Sequence, residues 1–314
     1  MSKLRAAVVG VGYLGRFHAQ KYKAIADVDL VAVCDASAAR AAEVAQELEC
    51  AAETDYRNLI GKVDLVTVAS STPTHYEIAK TFLENGIHVN VEKPITTTSQ
   101  QGEELCSLAE KNGLKLQVGH VERFNPAFEA AHKKMMVPWF IECHRLAPFK
   151  PRGVDVNVVL DLMIHDLDVI LSLVDSEPVN IAAVGTPVIT DTIDIANARI
   201  EFKSGAVANV TSSRVSTSAQ RKFRVFQRDQ YLSLDFGSGD VNLLTKTGQW
   251  QPDAELPIEH ESWNLEKGDA LLAETQSFVN SVLENKPCRV SGRDGLVALR
   301  LAEKIIGEIQ SRLK

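Results

Sequence analysis

At 314 residues, with 45% hydrophobic and 24% charged side chains, the chain has an ordinary globular composition and enough length for two cores. A net charge of -7 argues against a nucleic-acid or anionic-membrane surface, although a small anionic ligand needs only local Arg or Lys. Five scattered cysteines without a C-x-x-C, no apolar run near the roughly 18 residues of a membrane span, and an N-terminal apolar stretch too short for a signal peptide predict a reduced, cytoplasmic protein.

The first apolar run, Leu4–Val9, closes with Gly10, Gly12 and Gly15 in a G-x-G-x-x-G turn, and a helical stretch, Tyr13–Ile25, follows. In this strand–turn–helix setting the first Gly allows a tight turn and the second brings bare backbone against a pyrophosphate. The third lets helix and strand pack closely, with the helix N-terminus facing the phosphates. A glycine turn in a βαβ unit without a ligand is the competing reading. The next run, Leu30–Cys34, ends in Asp35, twenty residues past Gly15, where a carboxylate would accept hydrogen bonds from an adenosine ribose. That predicts NAD rather than NADP, whose 2′-phosphate the carboxylate would repel; Arg40, nearby, is the residue that could accommodate such a phosphate.

Up to residue 119 strand and helix alternate. Strand-like runs at 4–9, 29–34, 65–69, 87–91 and 115–118 are separated by helical stretches at 13–25, 38–48, 74–85 and 98–112. The pattern predicts a doubly wound parallel Rossmann sheet over 1–119, with ligands beyond the carboxyl ends of its strands. Ser70, Thr72 and His75 follow one such end, where Thr72-Pro73 could simply cap a helix. Glu92-Lys93-Pro94 follows another, and the crevice position favours a functional lysine over a surface ion pair.

Past Gly119 the alternation stops. Asn125-Pro126 starts a helix, 139–146 reads as a strand, and 157–174 as a long amphipathic helix. Strand-like runs at 179–186, 193–202, 207–214, 222–227, 231–236 and 241–246 follow, then an unpatterned loop over 247–266, then helices at 269–284 and 294–313. This predicts a second, α+β domain over 120–314, built on a mostly antiparallel open sheet with helices on one face. In the long helix Leu160, Ile164, Leu167 and Leu171 form the stripe expected to face the sheet. Asp161 and His165, four apart, share another face. They could be a surface ion pair, two metal ligands or a general acid–base pair. A metal lacks a third and fourth ligand in the sequence, since Glu142 and His144 around Cys143 make too thin a case, so no metal is expected. The apolar neighbours of Asp161 favour a cleft-facing pair.

These marks together resemble the Gfo/Idh/MocA family of NAD(P)-dependent sugar oxidoreductases: the glycine turn, Glu92-Lys93-Pro94, and the D-x-x-x-H of Asp161 and His165. The resemblance covers essentially the whole chain. Within the family, Val118–Pro126 and Asp161–Asp166 are most similar to dehydrogenases acting at C3 of UDP-N-acetylglucosamine. It implies cofactor contacts at Gly10, Gly12, Tyr13, Leu14, Asp35, Ser70, Thr72, His75, Glu92, Lys93 and Arg123, and catalytic roles for Lys93, Asp161 and His165. It also implies a cis Lys93–Pro94 peptide. For a UDP-sugar, Lys150, Arg152 and Arg214 are the cations placed to meet the diphosphate, with Lys93, Arg123, Asp161 and His165 also on the substrate. The expected activity is NAD-dependent oxidation of a sugar hydroxyl to a ketone, in a homo-oligomer, with an aminotransferase consuming the product. The competing functions are a dehydrogenase of a free cyclic polyol or monosaccharide, and a non-catalytic dinucleotide sensor.

Overall fold

Five apolar runs of the first 119 residues become strands of one parallel sheet, because runs apolar on both faces need cover on both. In the computed structural model, which describes residues 3–151, 156–266 and 268–313, they are β1 (Leu4–Val9), β2 (Val28–Cys34), β4 (Leu65–Val68), β5 (His88–Glu92) and β6 (Leu116–Gly119). A sixth strand, β3 (Ala51–Glu53), pairs with β2 at the sheet edge. The sequence reading lacks it, since three small or polar residues at an edge carry no alternation. The order is β3-β2-β1-β4-β5-β6, all parallel, with helices α1 (Tyr13–Ala24), α2 (Ala38–Leu48), α3 (Thr72–Glu84) and α4 (Ser99–Lys111) between strands. The order reverses between β1 and β4, so their carboxyl ends form the switch point at which such sheets bind ligands.

This sheet belongs to a unit of Met1–Val121 together with Asp269–Leu299. The second segment is where the structure departs from the domain boundaries read from the sequence, which leave everything after 119 in the second domain. Helix α7 (Ala270–Leu283) inserts Phe278 and Val279, both fully buried, into the core formed by Tyr22, Val33 and Leu65. An amphipathic pattern shows that a helix has an apolar face, not which core receives it.

The other unit comprises Glu122–Gly268 and Arg300–Lys314. Its eight-stranded sheet runs β14 (Ile258–Asn264), β13 (Asp240–Lys246), β12 (Gln230–Asp235), β11 (Gln220–Gln227), β7 (Pro138–Leu146), β10 (Val207–Ser213), β9 (Ile195–Phe202), β8 (Pro178–Thr186). Among the described residues only β7 and β10 of this sheet pair in parallel; the other strand pairs are antiparallel. One core joins its covered face to α5 (Pro126–His132), α6 (Ile164–Leu173) and the later part of α8 (Gly292–Arg312), through Phe128, Leu167 and Ile305 against Ile141, Val210 and Phe223. The expected α+β architecture is therefore present. Strand β14 lies inside the stretch read as a loop; of its side chains Trp263 packs on the core and most of the others are exposed, so it carries no alternating signal.

The long helix read over 157–174 is not uniform. It opens with a π-helical turn, Val159–Met163, and continues as α6. The side chain of Asn157 accepts the Val159 and Leu160 N–H groups at 3.1 and 3.2 Å, which fixes the entry. The wider turn shifts which residues face the sheet. Met163, Leu167 and Ile170 are fully buried, whereas Leu160 and Leu171 of the predicted stripe only border the core.

Phe278→Ala should cost about 3–5 kcal/mol of unfolding free energy, as a fully buried aromatic does on truncation. Denaturant melts should also show the loss in a fragment-wise readout, with hydrogen exchange rising in β1 and β2 before β7 and β10. Faster exchange in β7 and β10 instead would contradict the placement of α7.

Candidate functional site

At the switch point the glycine turn is packed backbone to backbone. Gly10 has φ +83°, and a Cβ there would stand 2.5 Å from the Ser70 backbone. A Cβ at Gly15 would stand 1.8 Å from the Gly10 carbonyl oxygen. Gly12 is different: nothing lies within 4 Å of where its Cβ would be. It caps α1 without a side-chain hydrogen bond, and the first turn of α1 holds no acid. An open backbone at an uncapped helix N-terminus fits a pyrophosphate.

The adjoining cleft has a volume of about 910 Å³ and is lined by Gly10, Gly12, Asp35 and Ser70 among others. Asp35 accepts the Val11 N–H and the Ser37 N–H, both at 2.9 Å, which leaves the carboxylate's other lone pairs for ribose hydroxyls. Arg40 is already engaged: it donates to the Val11 carbonyl at 2.7 Å and the Gly12 carbonyl at 3.3 Å, and pairs with Glu43 at 2.8 Å. Thr54, Asp55, Tyr56 and Arg57, which follow β3, also line the cleft. Sequence reasoning passes over them because it lacks β3; the strand-end rule applied there would have found them.

Tyr13, Leu14, Thr72, His75, Glu92 and Lys93 do not line that cleft. Tyr13 and Leu14 are exposed at the start of α1. Thr72 opens α3, whose N-cap is Ser71 rather than Thr72, with Pro73 in the first turn. Ser70 Oγ bonds Thr74 Oγ1 at 2.7 Å. His75 is buried, with Nδ1 2.9 Å from the Pro94 carbonyl and Nε2 3.0 Å from the Ser70 carbonyl. Burial pulls its pKa below the ordinary value despite both carbonyls. It ties the end of β4 to the turn after β5. That turn contains a cis Lys93–Pro94 peptide, as the resemblance implies. Glu92 also faces inward, bonded to His18 at 2.8 Å and to the Lys93 N–H at 3.2 Å.

In the other unit, Asp161 lies in the π-helical turn and His165 at the start of α6, both half-buried. Their helix is clamped by buried charges. Arg145 on β7 forks onto Asp166 at 2.9 and 2.8 Å and reaches Glu122 at 2.8 Å. Burial opposes the Arg145 charge, but Asp166 and Glu122 outweigh it and raise its pKa. Arg123 pairs with Asp168 of the same helix at 3.6 Å.

The expected diphosphate cations are not alike. Lys150 is exposed, and Arg152 lies outside the described residues. Arg214 is buried and heavily engaged, donating to Asp194 at 2.7 Å, the Val156 carbonyl at 2.8 Å and Thr192 at 2.6 Å. Asp194 in turn accepts the N–H groups of Val188, Ile189 and Thr190. Burial works against its charge, but these bonds and Arg214 prevail and hold its carboxyl well below the usual range.

Comparison with known proteins agrees with this architecture. Residues 4–120 match the oxidoreductase family with an NAD-binding Rossmann fold, and residues 139–232 match the GFO/IDH/MocA C-terminal domain. UDP-N-acetylglucosamine 3-dehydrogenase of Acidithiobacillus ferrooxidans is 38% identical over 316 residues, covering 100% of both chains. Its solved structure superposes with a TM-score of 0.93, at 37% identity over 100% of both chains. Inositol 2-dehydrogenase of Rhizobium meliloti is 25% identical over 98% of both chains. The structure of scyllo-inositol dehydrogenase from Lactobacillus casei shares the fold, with a TM-score of 0.81 at 20% identity over 99% of this chain and 98% of that one. With the NAD-binding turn, both domain matches and a relative similar from end to end, the chain belongs to the Gfo/Idh/MocA family of oxidoreductases.

Proposed function

We propose that the protein oxidises the C3 hydroxyl of a UDP-N-acetylhexosamine, UDP-N-acetylglucosamine foremost, with NAD as acceptor. The observation that carries this is the end-to-end 38% identity to an enzyme named for that reaction. The relatives named for inositol dehydrogenation support a second reading, oxidation of a free cyclic polyol, which would need no nucleotide. An acid–base set of Lys93, Asp161 and His165 gives a non-catalytic sensor little support.

Removing hydride from a secondary alcohol requires the hydroxyl proton to leave. When bound, the nicotinamide supplies the hydride acceptor. His165 takes the proton, since imidazole titrates near neutral pH. The Lys93 ammonium stabilises negative charge developing on the oxygen, and Asp161 orients the substrate or the imidazole. The uridine diphosphate contributes binding energy away from the reacting carbon, which holds the ring still. Lys150 and Arg152 are the cations assigned to the diphosphate; Arg214, engaged with Asp194 and its neighbours, is assigned to holding its loop. Arg123 stands near the cofactor and sugar in this reading. Alcohol oxidation by NAD is uphill near neutral pH, so an aminotransferase that consumes the ketone fits as a partner. A cytoplasmic, homo-oligomeric enzyme completes the reading; among the described residues no helix is long and apolar enough to cross a membrane.

Incubation with NAD, UDP-N-acetylglucosamine and a ketone trap should yield a trapped 3-keto product by mass and NMR. Turnover of a free polyol, with none of the sugar nucleotide, would shift the reading to the second alternative.

Lys93→Ala and His165→Ala should each lower kcat by on the order of a hundred- to ten-thousand-fold while leaving NAD affinity much less affected. Near-normal turnover of His165→Ala would make the Asp161–His165 pair structural.

Asp35→Ala should narrow the preference for NAD over NADP, measured as the ratio of kcat/KM values. An unchanged ratio would show that Asp35 only braces the glycine turn through Val11 and Ser37.

A further inference from the structure

Behind the Lys93 turn lies a group of ionisable side chains that the dinucleotide cleft does not use. His18 on α1, Glu92 at the end of β5 and Glu274 on α7 are all buried, and one ligand atom from each lies within 4.8 Å of the others. His18 Nε2 lies 2.8 Å from Glu92 Oε1, and Glu92 Oε2 accepts the Lys93 N–H at 3.2 Å. Gly119 leaves the room for this: a Cβ there would stand 2.9–3.1 Å from the Glu92 carboxylate. Glu274 Oε1 lies 3.5 Å from Asn90 Nδ2, while its Oε2 has no hydrogen-bond partner among the described residues.

Two carboxyl groups this close in a dry interior do not both ionise. Their neighbours sort them. Burial disfavours the charge on Glu92, but the His18 hydrogen bond and the charges of His18 and Lys93 outweigh it and hold its carboxyl below the usual range. Glu274 has an amide instead, and burial followed by the Glu92 charge pushes it well above that range. Among the described residues, titratable groups of the packed elements are engaged elsewhere: on α1, Tyr22 with Thr67, Lys21 with Asp269, Arg16 with Glu47 and Lys23 with Glu49, and on α3, His75 with Pro94 and Ser70. Gln117 on β6 donates to the Glu274 carbonyl and is neutral.

We propose that His18 is a positioning residue for Lys93, acting through Glu92, whose carboxylate it holds against the backbone at the start of the Lys93–Pro94 turn, and that Glu274 supports this arrangement by standing neutral beside that carboxylate. The catalytic consequence rests on the role proposed above for Lys93; the cluster itself stands on its geometry. Glu274 is the protonated member. A metal ion bound by the three would have to displace the His18–Glu92 hydrogen bond, already closed at 2.8 Å.

The sign of the pH dependence follows. A carboxyl with a raised folded pKa keeps a proton that the unfolded chain releases, so its stabilisation is complete below the unfolded value of about 4.3 and declines as pH rises towards the folded one. Glu274→Gln keeps the shape of the protonated acid and removes that decline.

The test uses the full chain and needs no substrate. Thermal midpoints of the wild type and Glu274→Gln are followed from about pH 5 to about pH 9, starting just above the unfolded value. Exchange of the Lys93 amide is followed by NMR in both, and in His18→Gln and His18→Ala. The wild-type midpoint should fall relative to Glu274→Gln as pH rises. Lys93 exchange should accelerate on the order of tenfold in His18→Ala and by no more than about threefold in His18→Gln, whose amide can still donate to Glu92. Should His18→Ala fail to fold, His18→Asn, too short to reach Glu92, takes its place. Parallel midpoint curves would overturn the protonated Glu274, and unchanged exchange without the His18 donor would overturn the positioning. If both expectations hold while no UDP-sugar turns over, the substrate reading fails and the cluster stands.

Discussion

The contact between the Gly10–Gly15 turn and the Ser70 backbone sets what the first unit can be. Main chain meets main chain there at distances no side chain could share, with hypothetical Cβ atoms at 1.8 and 2.5 Å from their neighbours. That closeness draws α1 against the ends of β1 and β4 at the reversal of strand order. It leaves the helix N-terminus uncapped and Gly12 open towards the cleft. Binding of an anion is therefore a by-product of packing: the donors that the helix cannot satisfy are the donors that a pyrophosphate needs.

Both units then spend buried charge on holding chain segments rather than on ligands. Arg145, Asp166 and Glu122 form a buried set that anchors α6, the helix carrying His165. Such sets contribute little net stability, because desolvation offsets most of the attraction. Losing one member is costly, about 3–5 kcal/mol, because the remaining charges are stranded. Their value lies in fixing one arrangement. Glu92 plays the corresponding part for Lys93, and His75 ties the same turn to the end of β4 through two carbonyls.

Where side-chain pattern reports on burial, the sequence was sufficient. The strands with continuous apolar runs, the glycine turn, Asp35 and the helix cap at Asn125 were legible because their signals are local. Strands β3 and β14 escaped because edge strands contribute backbone hydrogen bonds and leave most side chains in water. The π-helical turn had no local signature, and it displaced the predicted stripe on α6. The joining of α7 to the first unit, and the meeting of His18, Glu92 and Glu274, depend on contacts between residues far apart in the chain, His18 and Glu274 by 256 positions. No periodicity encodes those.

Charge illustrates the limit most sharply, because sequence alone ranks every arginine alike. Arg40 and Arg214 each looked available for an anion, yet each has its guanidinium turned onto protein acceptors, as Arg145 does. A guanidinium in that state has spent the geometry that makes it useful for a diphosphate. Releasing it would leave buried acceptors such as Asp194 unmatched, at a cost that a solvated phosphate contact would not return. A diphosphate bound here would meet cations that begin in water, as the exposed Lys150 does, and backbone N–H groups at helix ends. With a net charge of -7 the protein offers no general attraction for such a ligand, so selectivity rests on where those few donors stand.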